Sequence, residues 1–209
     1  MIEVKNLNKR FKDTLLFDNA NVKFKDGKKI LIQGANGTGK SVFLKMLVGY
    51  SMPDSGEIIV DNYKVGIDRD FIFNAGVSIN SPEFCNNWSG LENLLYLANI
   101  RKIATESDII KLCKLLSLDN VLNKKYKTYS LGMRQKMRIV QALIDKPKYL
   151  ILDEPFDSLD DISQKNVTNL LRNFISDDKI LIFTTHNNEY EKFADEIYKI
   201  ENFKLNKKN

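Results

Sequence analysis

The residues with the clearest chemical potential form one glycine-rich segment, Gly34–Ser41, which fits the pattern G-x-x-x-x-G-K-[ST]. Apolar runs at 30–32 and 42–48 flank it, so strand, turn and helix are expected in that order. The glycines let the backbone curl and point successive N–H groups inward, and the N-terminus of the new helix adds partial positive charge. Lys40 is placed to bridge the outer phosphates of a nucleotide, and the Ser41 hydroxyl to hold Mg²⁺. The segment predicts that a nucleoside triphosphate binds at Gly34, Ala35, Asn36, Gly37, Thr38, Gly39, Lys40, Ser41 and Val42.

Two carboxylates, Asp153 and Glu154, follow a second apolar run at 149–152. Four apolar residues in a row are typical of a strand buried on both faces of a parallel sheet, and ligands of such sheets bind beyond the carboxyl ends of the strands. If this strand lies next to the one that leads into the phosphate loop, Asp153 completes the Mg²⁺ site opposite Ser41. Glu154 then polarises an attacking water. Since any strand can end in acidic residues, the pair gains its meaning from the phosphate loop.

Two single residues are candidates for further nucleotide contacts. His186, the only histidine, follows an apolar run at 179–184, and we predict that it contacts the γ-phosphate, although a lone histidine can also be structural. Phe11 stands among charged residues, in Lys9-Arg10-Phe11-Lys12. It could stack on an adenine ring or belong to the core, and the sequence leaves the two readings even.

The segment Ser130–Met133 begins a predicted helix and allows two interpretations. Ser130 could be a plain N-cap, or its hydroxyl and the helix amides could bind an anion. The segment is far in sequence from the phosphate loop, so one chain need not place both on one nucleotide. Two chains facing each other head to tail would do so. The predicted contacts of this kind are Ser130, Leu131, Gly132 and Met133.

The order of predicted elements indicates an α/β chain with a helical insertion. Strands are expected at 2–7, 21–25, 28–33, 57–60, 75–79, 149–154, 179–184 and 196–200. The stretch 89–146 is helical in pattern, with capping boxes at Ser89 and Thr105, and further helices are expected at 160–176 and before the last strand. We therefore divide the chain into a core, 1–79 with 147–209, and a helical subdomain, 80–146.

Composition narrows the classes of protein. The 209 residues include 43% hydrophobic side chains and carry a net charge of +5, which permits contact with nucleic acid or an anionic membrane face but requires neither. Cys85 and Cys113 form no metal-ligand or disulfide pattern, which favours a reducing compartment. We expect no secretory signal and no membrane-spanning segment. The lysine-rich stretch 204–209 is expected to be a frayed end.

Taken together, these segments resemble the ATP-binding subunit of ABC transporters over nearly the whole chain. Gly34–Ser41 is similar to the Walker A motif, and 150–154 to the Walker B strand with its catalytic Glu154. The remaining matches are the signature at 129–133, the D-loop at 158–160 with Asp160, the switch histidine at His186 and the A-loop aromatic at Phe11. The resemblance implies an α/β P-loop NTPase with a RecA-like core, an antiparallel β edge and an inserted all-helical subdomain. It also implies Mg²⁺, a membrane-spanning permease, and two subunits that sandwich two ATP molecules.

Three residues depart from the family pattern. The signature has Leu131 where glycine is usual and Met133 where glutamine is usual, and this Ser-Leu-Gly-Met form resembles the bacterial export branch of bacitracin-resistance and lantibiotic-immunity transporters. The Q-loop position, which in the family holds a glutamine that links Mg²⁺, the attacking water and the permease, is Asn80. Asn80 is one methylene shorter, and a contact through a water is the interpretation we favour.

These observations predict an ATPase subunit that powers a bacterial exporter of antimicrobial peptide or drug, cytoplasmic and peripheral on the inner face of the cell membrane. A soluble ABC-type ATPase acting on nucleic acid or ribosomes is the alternative. The chain has one ATPase domain and no long coiled coil, so no nucleic-acid partner is expected. The permease is expected to dock around residues 80–100, at Phe84, Trp88 and Tyr96, unless Trp88 is buried in the helical subdomain.

Overall fold

The computed structural model describes residues 1–208, which form two β-sheets and five α-helices. The strands are β1 Ile2–Phe11, β2 Thr14–Phe24, β3 Lys28–Gln33, β4 Ser55–Val60, β5 Tyr63–Lys64, β6 Ala75–Ser78, β7 Tyr149–Leu152, β8 Ile180–Thr184, β9 Glu196–Glu201 and β10 Lys204–Lys207. The helices are α1 Lys40–Val48, α2 Gly90–Arg101, α3 Glu106–Leu115, α4 Leu131–Leu143 and α5 Asp161–Phe174. Short 3₁₀ segments lie at Asp119–Val121, Tyr126–Thr128 and Asn188–Phe193.

The strand order of the larger sheet determines which chain segments meet at its edge. Its six strands have the order β10-β9-β3-β8-β7-β6, and every neighbouring pair is parallel except β9 with β10. The carboxyl ends of β3, β7 and β8 therefore meet at one edge, where the segments that follow these strands come together. The smaller sheet, in the order β2-β1-β4-β5, is antiparallel.

The larger sheet is covered on both faces because its central strands are apolar throughout. Ile30 and Ile32 of β3 pack with α1 and the antiparallel sheet, whereas Leu31 between them packs with α4, α5 and the other helices. Successive side chains of a strand point to opposite faces, so a strand must be apolar at every position to fill both layers. The fold class predicted from the sequence is confirmed, with its parallel core, its antiparallel edge and its helical part.

The helices between β6 and β7 begin at side-chain caps. The Ser89 and Thr105 hydroxyls accept hydrogen bonds from the amides of Glu92 and Asp108 in complete capping boxes. At the sheet, α4 approaches β6 so closely that a Cβ atom on Gly76 would lie 1.7 Å from the carbonyl oxygen of Ala142. The division into a core and a helical subdomain at residues 80 and 146 stays a prediction.

The structure differs from several of the sequence-based elements, and the short strand β5 was not predicted. Strand β1 continues to residue 11 instead of ending at 7, and β2 begins at residue 14 instead of 21. Both were predicted too short because irregular pairing between the two strands interrupts the apolar alternation. The last predicted helix is a 3₁₀ segment, Asn188–Phe193. The expected frayed end is wrong for residues 204–207, since β10 pairs with β9 and buries Leu205, while Asn209 lies outside the described residues.

Strand β7 is not the direct neighbour of β3, which was the condition under which the sequence placed Asp153 opposite Ser41. Helix α5 is a crossover that returns the chain from β7 to its parallel neighbour β8, and β8 then pairs with β3. One strand therefore separates the carboxylates that follow β7 from the phosphate loop that follows β3.

Candidate active site

The glycine-rich segment forms a tight loop between β3 and α1. Gly37 and Gly39 have φ angles of 81° and 99°, values that favour glycine, and a Cβ atom on Gly39 would lie 3.1 Å from the Phe17 ring. The loop curls around the Lys40 ammonium, which donates hydrogen bonds to the carbonyl oxygens of Gly34 at 2.8 Å and Ala35 at 3.3 Å. The cation predicted to bind phosphate is thus held in place by the loop backbone.

Three side chains from three segments converge beside this loop. The Ser41 hydroxyl donates to Oδ2 of Asp153 at 2.6 Å, and the Thr184 hydroxyl donates to Oδ1 of the same carboxylate at 2.6 Å. Thr184 ends β8 and fills the gap between β3 and β7, so Asp153 reaches Ser41 despite the intervening strand. The role of Thr184 was not predicted from the sequence, although a hydroxyl residue at the carboxyl end of a parallel strand is a usable signal.

Glu154 and His186 form the outer part of the site. Oε2 of Glu154 accepts from the backbone N–H of His186 at 3.2 Å and lies 3.2 Å from the His186 Nδ1. Nε2 of the same ring is 4.0 Å from Oδ1 of Asp157, an acidic residue that sequence analysis did not single out. The imidazole is 65% exposed, so it is accessible to a ligand above the sheet edge.

A cleft of about 570 Å³ joins the phosphate loop to Asp153 and Glu154, whereas His186 is outside its lining. Phe11 is 58% exposed at its rim, which rules out the core interpretation of this ring. Asn80 also lines the cleft, is exposed and has a φ angle of 55°. The complete lining is Phe11, Thr14, Leu16, Asn36, Gly37, Gly39, Lys40, Ser41, Val42, Lys45, Asn80, Asp153 and Glu154. The cleft therefore brings most of the predicted nucleotide-binding residues together with both carboxylates, and it adds Thr14, Leu16 and Lys45. Gly34, Ala35 and Thr38 belong to the same loop but are not in this lining.

The segment Ser130–Met133 is not part of this cleft lining. Ser130 caps α4 by accepting a hydrogen bond from the amide of Met133 at 3.2 Å, and Leu131 is 73% exposed. A Cβ atom on Gly132 would lie 2.9 Å from the carbonyl oxygen of Ser158, so the start of α4 packs on the segment before α5. The anion contact by these residues stays a prediction, and within one chain they do not reach the cleft lining.

Asp160 caps α5. Its Oδ1 accepts from the amide of Ser163 at 2.7 Å, and hydrogen bonds from Ser163 hold the pKa of the Asp160 carboxyl below its ordinary value. An ionised carboxylate at the N-terminus of a helix is favoured by the unpaired amides there.

A second depression lies between the larger sheet and the helices. It is lined by Tyr50, Val77, Ile79, Pro82, Glu83, Phe84, Cys85, Trp88, Asn93, Tyr96, Leu97 and Gln141. Trp88 and Tyr96 meet edge to face at 5.4 Å and are 39% and 59% exposed. The alternative in which Trp88 is buried is wrong, and we call this depression the aromatic groove.

Known proteins that resemble the chain place it in a family. Residues 17–157 match the ABC transporter family model, so the chain belongs to the ABC transporter family. It is an ATP-binding and ATP-hydrolysing subunit of that family, as expected from its motifs. In the part of the chain that the structure describes, no helix has both the length and the apolar character needed to cross a membrane.

Three relatives indicate the branch. The chain is 33% identical to an uncharacterized ABC transporter ATP-binding protein of Bacillus subtilis, over 90% of this chain and 87% of that protein. It is 32% identical to the bacitracin transport ATP-binding protein of Enterococcus faecalis, over 94% of this chain but 65% of the relative's length. It is 31% identical to the lantibiotic transport ATP-binding protein of Streptococcus pyogenes, over 93% of this chain and 84% of that protein. The predicted resemblance to this branch is confirmed, and it fits better than the nucleic-acid alternative.

Solved structures share the fold at low sequence identity. An ATP-binding cassette solved as a dimer in a post-hydrolysis state with ADP and phosphate superposes with a TM-score of 0.88 at 23% identity, over 100% of this chain and 98% of that one. A structure described as the ATP-binding subunit of an ABC transporter gives 0.87 at 22% identity, over 100% of this chain and 90% of that one. These similarities confirm the fold.

Proposed function

We propose that the chain hydrolyses ATP in the cleft between the phosphate loop and Glu154 to power export of an antimicrobial peptide or related drug. The observation that carries the proposal is the convergence of Ser41, Asp153, Thr184 and Glu154 at one edge of the sheet, beside the phosphate loop. The bacitracin and lantibiotic transport relatives support the class of substrate.

The phosphate loop binds the triphosphate. On binding, the Lys40 ammonium exchanges its carbonyl partners, Gly34 and Ala35, for phosphate oxygens, which are stronger acceptors because they are charged. The loop amides and the N-terminus of α1 contribute further donors. Phe11, exposed at the rim, stacks on the base.

The oxygen donors beside the loop fit Mg²⁺. The Ser41 hydroxyl and the Asp153 carboxylate are 2.6 Å apart, and hydroxyl and carboxylate oxygens are the ligands that this ion prefers. When bound, Mg²⁺ neutralises charge on the phosphates. Thr184 holds Oδ1 of Asp153 at 2.6 Å, which leaves Oδ2 facing Ser41 and the ion.

Glu154 accepts the proton of the attacking water. A water in line with the terminal phosphate needs a base within hydrogen-bond reach, and the Glu154 carboxylate lines the cleft above the phosphate loop. His186, 3.2 Å from Glu154, fixes the orientation of that carboxylate and contacts the terminal phosphate. Asn80, also in the lining, completes the water's surroundings through a further water molecule.

Two subunits and a permease complete the working assembly. Ser130–Met133 lie outside their own chain's cleft, so a second chain in head-to-tail orientation supplies them to the nucleotide. The dimeric state of the solved cassette supports this pairing. The aromatic groove receives the permease, which places the chain on the cytoplasmic face of the cell membrane.

Drug sensitivity tests the proposed function. The chain is expressed in a susceptible bacterium together with candidate permeases from the genome that encodes it, and the inhibitory concentrations of bacitracin and of a panel of lantibiotics are measured. We expect resistance with the native chain and none with Lys40→Ala. ATP hydrolysis without resistance to any of these compounds would reject the export substrate while leaving the ATPase assignment intact. Absence of hydrolysis by the intact assembly would reject both.

A further inference from the structure

The backbone of Glu154 is unusual and is held from several directions. Its φ angle is 48°, in the left-handed region, which is unfavourable for a residue that is not glycine. Its N–H donates to the Thr184 hydroxyl at 2.9 Å. Its carbonyl oxygen accepts from the Gln135 side-chain amide at 3.0 Å and from the Asp157 N–H at 3.2 Å. A residue in this conformation persists only where its surroundings determine it.

Gln135 connects this carbonyl to a distant segment. It projects from α4 and is 6% exposed. Its amide oxygen accepts from Nη1 of Arg138 at 3.3 Å, and Nε of Arg138 donates to the carbonyl oxygen of Pro82 at 3.2 Å. The Glu83 carboxylate lies 3.7 Å from Nη2 of the same guanidinium. A continuous hydrogen-bond chain thus joins Pro82, Arg138, Gln135 and Glu154.

We propose that Gln135 and Arg138 are positioning residues that hold Glu154 in its left-handed conformation and link it to Pro82. Pro82 lines the aromatic groove, and Asn80, two residues earlier, lines the cleft. A partner that displaces the Pro82 segment shifts the guanidinium, then the Gln135 amide and the turn that carries the catalytic carboxylate. The side-chain route through α4 thus connects the groove to Glu154 independently of Asn80. This inference rests on the proposed role of Glu154.

Gln135→Met tests the contact with Glu154. The side chain keeps its length and helical preference but cannot donate, and the Glu154 carbonyl keeps its bond from Asp157. A small displacement of the catalytic carboxylate weakens its stabilisation of the transition state more than it weakens ATP binding. We therefore expect kcat for ATP hydrolysis to fall about tenfold, with KM changed less than about twofold. Gln135→Glu, which can accept from Arg138 but does not donate when ionised, should show the same loss if the apolar variant folds poorly.

Val167→Ala is the control for reduced stability. Val167 is fully buried in α5, is not a member of this chain of hydrogen bonds, and its truncation creates a small cavity. It should leave kcat unchanged at a temperature where the protein is folded. A kcat within about twofold of wild type in both Gln135 variants would overturn the positioning role.

A double-mutant cycle tests the link to Pro82. Arg138→Met removes the donors to Pro82 and Gln135, and it is measured alone and combined with Gln135→Met. If the two residues act in one chain, the double variant loses no more kcat than the worse single variant. Losses that multiply would show independent effects and reject the link. Wild-type turnover in Glu154→Gln would instead reject the proposed function itself, which separates the two failures.

Discussion

At the residue scale, the site depends on one carboxylate whose two oxygens have different partners. Oδ1 of Asp153 is occupied by Thr184, and Oδ2 faces Ser41, so the carboxylate is oriented by β8 and directed toward α1. Both contacts are side-chain hydrogen bonds at 2.6 Å. Such orientation before ligand binding reduces the entropy lost when the ligand is ordered.

Lys40→Ala removes the cation of the phosphate loop. A hydrogen bond to a charged group contributes about 1.5–3 kcal/mol, which corresponds to a loss of ATP affinity of about tenfold to a hundredfold. Calorimetric titration with ATP and Mg²⁺ measures the dissociation constant of the variant and of wild type. Lys114→Ala, an exposed change on α3, is the matched control and should bind as wild type. Unchanged affinity in Lys40→Ala would remove this residue from the phosphate site.

At the element scale, the approach of α4 to the sheet links the two ends of the proposed hydrogen-bond chain. Helix α4 carries Gln135 and Arg138 and runs from the exposed Leu131 to Leu143, close to β6. Its contact with β6 is possible because Gly76 has no side chain. The position of this helix relative to the carboxyl ends of the strands therefore depends on one glycine.

Gly76→Ala should destabilise this packing. The added methyl would lie 1.7 Å from the carbonyl oxygen of Ala142, and backbone cannot move aside without displacing α4 or β6. Overpacking of this kind costs about 1–3 kcal/mol, and sometimes more. Chemical denaturation followed by circular dichroism measures the change in the free energy of unfolding. A denaturation midpoint equal to that of wild type would contradict the close approach of α4 and β6.

At the scale of the whole molecule, we propose that each chain carries half of two composite sites. The cleft faces solvent, and the exposed start of α4, with Leu131, lies outside it. In the proposed head-to-tail pair, the α4 terminus of one chain meets the cleft of the other, so that ATP would contribute to the interface. On the same proposal, hydrolysis would remove part of that interface and couple the chemical step to separation of the subunits.

Glu154→Gln should trap the paired state. The amide keeps the shape of the carboxylate but cannot accept the proton, so hydrolysis should slow by about 10²- to 10⁴-fold while ATP still binds. Size-exclusion chromatography with ATP and Mg²⁺ should show this variant as a dimer, and wild type and the exposed control Glu106→Gln as mainly monomers. A variant that binds ATP yet stays monomeric would count against pairing through the nucleotide.

The sequence by itself determined the features that depend on neighbouring residues. The phosphate loop is encoded in Gly34–Ser41, because glycine conformations and a helix N-terminus create it locally. The capping boxes at Ser89 and Thr105 each depend on a residue three positions later, so they too were predicted correctly, whereas the sequence left Ser130 between an N-cap and an anion contact. The apolar runs likewise identified the buried strands of the parallel sheet, though not their order.

Only the tertiary structure decided which distant residues meet. Ser41 and Asp153 are 112 positions apart in sequence, and their contact depends on β8 lying between β3 and β7. The same strand order brought Thr184 to Asp153, and the packing of α4 brought Gln135 to the Glu154 carbonyl. Phe11, which the sequence left between core and cleft, was settled by its exposure at the end of β1. Strand order and helix packing depend on how the two apolar layers of the whole chain are buried together. No local sequence pattern specifies that arrangement.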